Sequence, residues 1–259
     1  MHKELFRFQL SDYFASLFHT KLLIIYTYAF CIVLGIILGT LYTKWNARKI
    51  VGVELPNKFI YLIFIAGFVG GKIFYFLENP YYYWSHLSLL LNVFSGGFVF
   101  YGSFVTIIFA VIWYLKNHSI EVLPMLDILA ITTIILQILG RIGCFFAGCC
   151  YGLPTNSAFG VVFSTSNHFT VHPTQLYEVF ILILIVLFLL IINRHKQFQG
   201  QLFLLYISLY GISRIILEFF RGDTRGYIIK DTLSHSQFIA IIILLIALFF
   251  YKKRKQQTI

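Results

Sequence analysis

The sequence predicts an all-α integral membrane protein of seven transmembrane helices, with its N-terminus outside and its C-terminus in the cytoplasm. Three observations carry this expectation. Hydrophobic residues make up 59% of the 259, and the mean hydropathy is +0.83. Charged residues make up 12%, against about 25% in an average soluble domain, so a soluble globule could not cover this much apolar surface. Seven apolar stretches come close to the ~20 residues needed to cross roughly 30 Å of hydrocarbon: 22–43, 59–78, 96–115, 126–146, 176–193, 201–220 and 236–251. The chain 1–259 reads as one polytopic membrane domain.

Residues 1–21 contain Lys3, Glu4, Arg7, Asp12 and Lys21, and no small-residue cleavage site follows them. No cleavable signal peptide is expected. Leu10, Phe14, Leu17 and Phe18 fall at helical spacing, which predicts an amphipathic helix lying in the membrane interface. Gly35 and Gly39 in the first span, and Gly67 and Gly71 in the second, are small-xxx-small pairs that let helices approach closely. The loop NPYYYWSHLSLLLNVFS at 79–95 has no Lys or Arg, and its Tyr and Trp cluster reads as an interfacial aromatic belt. The fourth span is interrupted by Asp127, Gln137 and Arg141. Residues 147–175 form an outer-face loop region.

The tail KKRK at 252–255 follows the last span directly and belongs in the cytoplasm by the positive-inside tendency. With seven spans the N-terminus is then outside. Eleven Lys and Arg fall on the inner side and seven on the outer side, which is spread over many more residues. Topology therefore accounts for the net charge of +10, and no nucleic-acid partner is expected. Asp127, near the inner end of span four, reads as a helix-start carboxylate, favourable at an N-terminus.

On this topology five segments bring polar groups to one depth, just inside the outer leaflet. Arg141 ends span four, Lys72 lies in the outer half of span two, and Tyr101 lies near the outer start of span three. His172, Gln175 and Glu178 open span five at a spacing of three, roughly one helix face. Arg214, Glu218 and Arg221 share a face of span six at spacings of four and three. A charge at a helix centre costs roughly 2.5–3.5 kcal/mol on insertion scales, less near the boundary, where long side chains snorkel. Pairing Arg214 with Glu218 and Arg141 with Glu178 would meet that cost by plain ion pairs. Yet four cations face two carboxylates. The surplus suits an anionic guest, and arginine forks suit phosphate oxygens. The anion available at this depth is a phospholipid headgroup. Gly96 and Gly97 before Tyr101, and Gly140, Gly143, Gly148 and Gly152 around Arg141, allow close approach and broken helix geometry at a cavity.

GRIGCFFAGCCYG at 140–152 resembles the signature of the prolipoprotein diacylglyceryl transferase family, close to GRIGNFINGExYG. YTYAF at 26–30, GGKIFY at 70–75, SGGFVFYGS at 95–103, HPTQLYE at 172–178 and RIILEFFRGD at 214–223 are similar to further family segments, in the same order. The resemblance implies seven spans with an outer N-terminus in a bacterial inner membrane, and an active site facing the outer leaflet. It implies transfer of diacylglycerol from phosphatidylglycerol to the lipobox cysteine thiol of a preprolipoprotein, with release of glycerol phosphate. It places Arg141 and Arg214 at the phosphate and the transition state, Arg221 as supporting charge, and Glu178 and Glu218 as groups orienting the arginines. Tyr101 stands at the position of a family histidine. Tyr26, Lys72, Gly97, Gly102, Cys144, Gly152, His172 and Gln175 complete the expected substrate site. No cofactor and no metal is implied. A divergent member could use the same phospholipid site with another acceptor, through acyl or glyceryl transfer, or bind lipid without chemistry.

The chemistry fits these residue types. The leaving group is a phosphate monoester, so developing negative charge needs fixed cations. The attacking thiol must become a thiolate, and at an unperturbed pKa near 8.5 only a few per cent is thiolate at pH 7. Tyr101, with an unperturbed pKa of about 10, could serve as the base only if the arginine field lowers that value; otherwise it hydrogen-bonds a phosphate or glyceryl oxygen. A lone histidine beside a proline, as at His172, is more often structural. The family's asparagine is Cys144 here, and its second Asn and its Glu are Ala147 and Cys149. The Cys-x4-Cys-Cys run lacks nearby histidines, so its spacing gives no tetrahedral zinc site. Small-residue packing is the plain role for these cysteines. The alternatives are a disulfide from Cys144 to Cys149 or Cys150 on an oxidising face, and covalent acceptance of an acyl or glyceryl group.

Overall fold

The structure is a computed structural model that describes residues 4–9, 22–78, 80–85, 100–222, 227–229 and 233–258. Strands β1 (Glu4–Gln9) and β2 (Leu22–Tyr26) lead into α1 (Thr27–Asn46), which closes in a π-helical turn over Ala47–Val51. Helices α2 (Asn57–Glu78), α3 (Pro80–Ser85), α4 (Phe100–Asn117) and α5 (Val122–Ala147) follow. Strands β3 (Val161–Val162) and β4 (Thr170–Val171) lie in the loop before α6 (Thr174–Asn193). Then come α7 (Gln201–Glu218), strands β5 (Tyr227–Ile229) and β6 (Leu233–Ser234), and α8 (His235–Thr258). Among the described residues six helices are long and apolar enough to cross a membrane, and α4 supplies a shorter apolar helix over Gly102–Asn117. The chain is a multi-pass membrane protein.

The start of the chain differs from the sequence expectation. Residues 4–9 are a strand, not part of an interfacial helix, and pair antiparallel with β2, Phe6 opposite Ile25 and Phe8 opposite Leu23. The first span consequently begins at Thr27 instead of residue 22. ELFRFQ and LLIIY are rich in aromatic and branched residues that favour extended pairing, and each strand satisfies the other's backbone groups. Leu10, Phe14, Leu17 and Phe18, Gly96 and Gly97, and most of the 79–95 loop lie outside the described residues.

The chain divides into two compact units, residues 44–125 and the remainder. In the smaller one, α2 crosses α4 at glycines. A Cβ added to Gly102 would fall 2.5 Å from both the Gly70 carbonyl oxygen and Phe74 Cβ. The Thr106 hydroxyl donates across the crossing to the Ala66 carbonyl at 2.8 Å. Close helix packing therefore accounts for a glycine at position 102. In the larger unit, Gly35 and Gly39 of α1 face Leu139, Leu136 and Thr132 of α5, and the Thr43 and Thr132 hydroxyls pair at 2.7 Å. Ala130, Ile131 and Ile134 of α5 form a buried core with Leu182, Ile185 and Leu189 of α6 and Leu202 and Tyr206 of α7. The α6 and α7 residues recur at intervals of three or four, and Ala130 and Ile131 both lie within one turn of Ile134, so each helix offers one stripe. In lipid such packing depends on close contact and hydrogen bonding more than on leaving water.

All three polar residues that interrupt span four are partnered. The Gln137 carbonyl oxygen accepts from the Tyr206 hydroxyl at 2.9 Å, and Arg141 pairs with Glu178. Asp127 does sit at a helix N-terminus, but that of α7 and not its own. It accepts the backbone N–H of Gly200 at 2.9 Å and of Phe203 at 3.0 Å, and its other contact is Lys196 Nζ at 3.1 Å. A carboxylate there satisfies orphan donors and the positive end of the helix dipole together. Asp127→Ala is expected to lower stability by about 2 kcal/mol, seen as a lower melting temperature in mild detergent, with Asp127→Asn in between. An Asp127→Ala protein melting with the wild type would sink this assignment.

Candidate active site

Gly143 sets the end of α5 against α1, where its added Cβ would meet Tyr28 and Cys31 at 3.1 and 3.2 Å. This brings Arg141 level with the first turns of α6 and the last turns of α7. Arg141 Nε lies 2.9 Å from Glu178 Oε2. Arg214 Nη1 approaches the same oxygen at 3.7 Å, and Arg214 Nη2 lies 3.3 Å from Glu218 Oε2. The other Glu178 oxygen accepts the Tyr210 hydroxyl at 3.1 Å. Glu178, with 4% of its side chain exposed, is thus the hub of two arginines and a tyrosine. The ion pairs expected from sequence, Arg141 with Glu178 and Arg214 with Glu218, both form. The Arg214–Glu178 contact and the part of Tyr210 do not show in the sequence, where Tyr210 is one tyrosine among 17.

The pairs leave a donor over. Arg214 Nη1 is buried and makes no hydrogen bond among the described residues. A guanidinium carries five N–H donors in a fixed fork, and Glu178 and Glu218 do not exhaust those of Arg141 and Arg214. A buried cationic donor without an acceptor is costly, so the arrangement favours an anion presenting several oxygens.

Two helix-face expectations need correction. His172 precedes α6, which begins at Thr174, so only Gln175 and Glu178 share its face. The Pro173 ring cannot supply a backbone donor, and the chain before it stays extended. His172 Nδ1 lies 3.1 Å from the Tyr177 hydroxyl, and its ring packs edge-on against Phe220 and Tyr177. These contacts hold its ring in place. Likewise α7 ends at Glu218, and Arg221 lies beyond it, buried, in a β-bridge to Gly152. A Cβ on Gly152 would fall 2.1 Å from the Phe220 carbonyl oxygen, so only glycine lets these two segments cross.

Gln175, Tyr26, Lys72, Tyr101 and Gly97 take different places. Gln175 Nε2 donates to the Cys149 carbonyl at 2.6 Å, which anchors the loop after α5. Tyr26 ends β2 and is exposed. Lys72 lies on α2 and Tyr101 in the first turn of α4, both in the smaller unit. Gly97 lies outside the described residues.

The loop after α5 holds a feature its spacing does not announce. The Sγ atoms of Cys144, Cys149 and Cys150 all lie within 4.8 Å of one another, and all three are free thiols. The disulfide that the sequence left open, from Cys144 to Cys149 or Cys150, is not formed, yet all three thiols converge. The convergence arises because Gly148 and Cys150 take left-handed backbone, φ 69° and 62°, which folds the loop back over the end of α5. Hydrogen bonds from the Cys144 and Cys149 thiols and the charges of Arg141 and Arg221 hold the Cys150 thiol below its ordinary range, against the cost of its burial. Burial raises that of Cys149.

Fold and site together define a polytopic membrane protein with a buried arginine–carboxylate cluster gathered from three of its helices. The chain matches the family model for prolipoprotein diacylglyceryl transferase over residues 15–252. It is 36% identical to the phosphatidylglycerol–prolipoprotein diacylglyceryl transferase of Clostridium tetani over 241 residues, 90% of this chain and 95% of that one. Identity to the phosphatidylglycerol–prolipoprotein diacylglyceryl transferase 2 of Clostridium perfringens is 33%, over 85% and 87% of the two chains. Identity to the Rickettsia canadensis transferase is also 33%, over 83% and 86%. The chain belongs to the prolipoprotein diacylglyceryl transferase family.

Proposed function

We propose that the chain transfers the diacylglyceryl group of phosphatidylglycerol to the lipobox cysteine thiol of a preprolipoprotein, releasing glycerol phosphate. It does so in a bacterial inner membrane with its N-terminus outside and its arginine cluster open to the outer leaflet. The observation that carries this reading is the shared Glu178, which aligns Arg141 and Arg214 while leaving Arg214 Nη1 without a hydrogen-bond acceptor.

The acceptor thiolate attacks the glyceryl carbon bonded to the phosphate oxygen. The S–C bond forms as the C–O bond breaks, and the electron pair leaves on the phosphate. A diester monoanion and a thiolate become a thioether and a monoester dianion, so charge gathers on the phosphate through the reaction. Fixed guanidinium groups favour that product-like charge over the ground state, which is where catalysis lies. Arg141 and Arg214 bind the phosphate; Glu178 and Glu218 keep them from turning away. Arg221, near the cysteine loop, adds supporting charge.

The test is a reconstituted assay with purified protein, phosphatidylglycerol and a lipobox peptide, following peptide mass and glycerol phosphate release together. A mass gain of one diacylglyceryl group with matching release is the expected result. Tight binding of phosphatidylglycerol with no gain on a competent peptide would refute transfer to this acceptor.

A further inference from the structure

The three converging thiols have no part in the arginine chemistry described above. A zinc–thiolate bond of about 2.3 Å places the sulfurs of a trigonal or tetrahedral set roughly 3.8–4.0 Å apart. Sulfurs already within 4.8 Å of one another need to close by about 1 Å at most to hold such an ion.

The loop is fixed from behind. The Gly148 carbonyl accepts from the Thr165 hydroxyl, Cys149 from Gln175 Nε2 at 2.6 Å, and Cys150 from the Thr174 hydroxyl at 2.9 Å. Three successive carbonyls are thereby held, and Cys144 stands in the last turn of α5. Cys150 keeps a left-handed backbone that costs a non-glycine residue about 1–2 kcal/mol. Such a conformation persists only where its surroundings enforce it.

Charge and ligand count define the guest. Three thiolates and a divalent ion sum to a single negative charge, set near the guanidinium of Arg141, which lies one turn before Cys144 on α5. A dication held by neutral ligands would be repelled there. Thiolate ligands exclude magnesium and calcium and select a soft ion. Among the described residues no fourth Cys, His, Asp or Glu joins the group, and Cys149 is exposed. Structural zinc sites are closed by four protein ligands; three with an open fourth position is the layout of a catalytic site.

We propose that Cys144, Cys149 and Cys150 form a three-thiolate site for a zinc-class ion whose open fourth position takes the acceptor thiol. The inference rests on the transferase reading given above. The acceptor thiol displaces water from the ion and releases its proton to solvent, because a metal-bound thiol is deprotonated outright. Its sulfur then forms the S–C bond while the C–O bond breaks toward the phosphate held by the arginines. No electrons are exchanged with the ion. The ion held by these cysteines would supply the deprotonation, with no side-chain base required.

The experiment uses the full chain in detergent, reduced, stripped with a chelator and titrated with cobalt(II) and then zinc(II). The expected result is the near-ultraviolet thiolate-to-cobalt charge-transfer band with the visible bands of a tetrahedral ion, displaced by zinc. A lipobox peptide should intensify the charge-transfer band, and its cysteine-to-serine counterpart should not. Cys149→Ser, at the exposed ligand, should weaken cobalt binding by at least roughly tenfold while leaving the melting temperature near that of the metal-free wild type. Absence of thiolate–cobalt bands in the folded protein would overturn the site. So would a disulfide among the three cysteines in protein taken directly from membranes, read as the loss of two hydrogens in mass. Transfer that runs equally in chelated and zinc-loaded protein overturns the metal role and leaves the transferase reading standing. Cobalt bands that answer to the thiol peptide in a protein that transfers nothing uphold the site and overturn the transferase reading.

Discussion

Arg214→Ala is expected to lower the rate of diacylglyceryl transfer by a factor on the order of 10²–10³, with the loss in kcat and not in KM alone. The leaving phosphate gains a full negative charge as the C–O bond breaks. A unit charge about 4 Å away at an effective dielectric near 20 is worth roughly 4 kcal/mol, which bounds the effect near three decades. Arg214 is placed to supply that term: 11% of its side chain is exposed, and its Nη1 is buried without a hydrogen-bond acceptor. An interaction present equally with bound substrate would raise KM and spare kcat. Arg214→Lys separates charge from geometry, because lysine keeps the charge and loses the planar fork. Its rate should fall between alanine and wild type. The measurement is single-turnover transfer to a lipobox peptide, with melting temperatures to show that each variant folds. A kcat for Arg214→Ala within a few-fold of wild type would leave Arg214 as a structural ion-pair partner and no more.

Much of the fold was legible because membrane spans obey a length and composition rule that tertiary contacts do not override. The last four spans begin and end within a few residues of where apolarity places them, apart from the extension of α8 through its basic tail to Thr258. The first did not, because apolarity alone does not separate a buried strand from a helix, and LLIIY suits either. The arginine pairs were readable since i, i+4 spacing on a helix fixes Arg214 and Glu218 together, and a buried Glu178 needs a cation. Where helix periodicity was carried past a helix end it misplaced side chains. Pro173 ends the register before His172, and the crossing at Gly152 ends it before Arg221. The sequence left a pairing of Cys144 with Cys149 or Cys150 open, but not the meeting of all three thiols: it depends on left-handed backbone at Gly148 and Cys150, and no spacing rule specifies that Cys150 adopts it.

Glu178→Gln distinguishes a phosphate cradle from a set of plain ion pairs. Glu178 accepts from Arg141 Nε through one oxygen and from the Tyr210 hydroxyl through the other. Glutamine has the same shape but no charge: with its oxygen toward Arg141, its amide N–H must donate to the Tyr210 hydroxyl, which then loses its own acceptor. It also leaves the Arg141 and Arg214 charges facing Glu218 alone. Removing one partner of a buried pair costs about 3–5 kcal/mol, and Glu178 is buried enough for that range to hold. The variant should therefore melt well below wild type in neutral detergent. An anionic diester then does more for the variant than for the wild type, since it supplies the missing negative charge, and ligand stabilisation grows with affinity for the folded state. Phosphatidylglycerol should raise the melting temperature of Glu178→Gln by more than that of wild type, while diacylglycerol, which has no phosphate, should not. Transfer should still fall by at least about tenfold, because Arg141 and Arg214 lose the shared oxygen that aligns them. If the arginines served only as structural pairs, the variant would be destabilised equally in both lipids. Equal melting shifts in phosphatidylglycerol and diacylglycerol would place the lipid phosphate elsewhere.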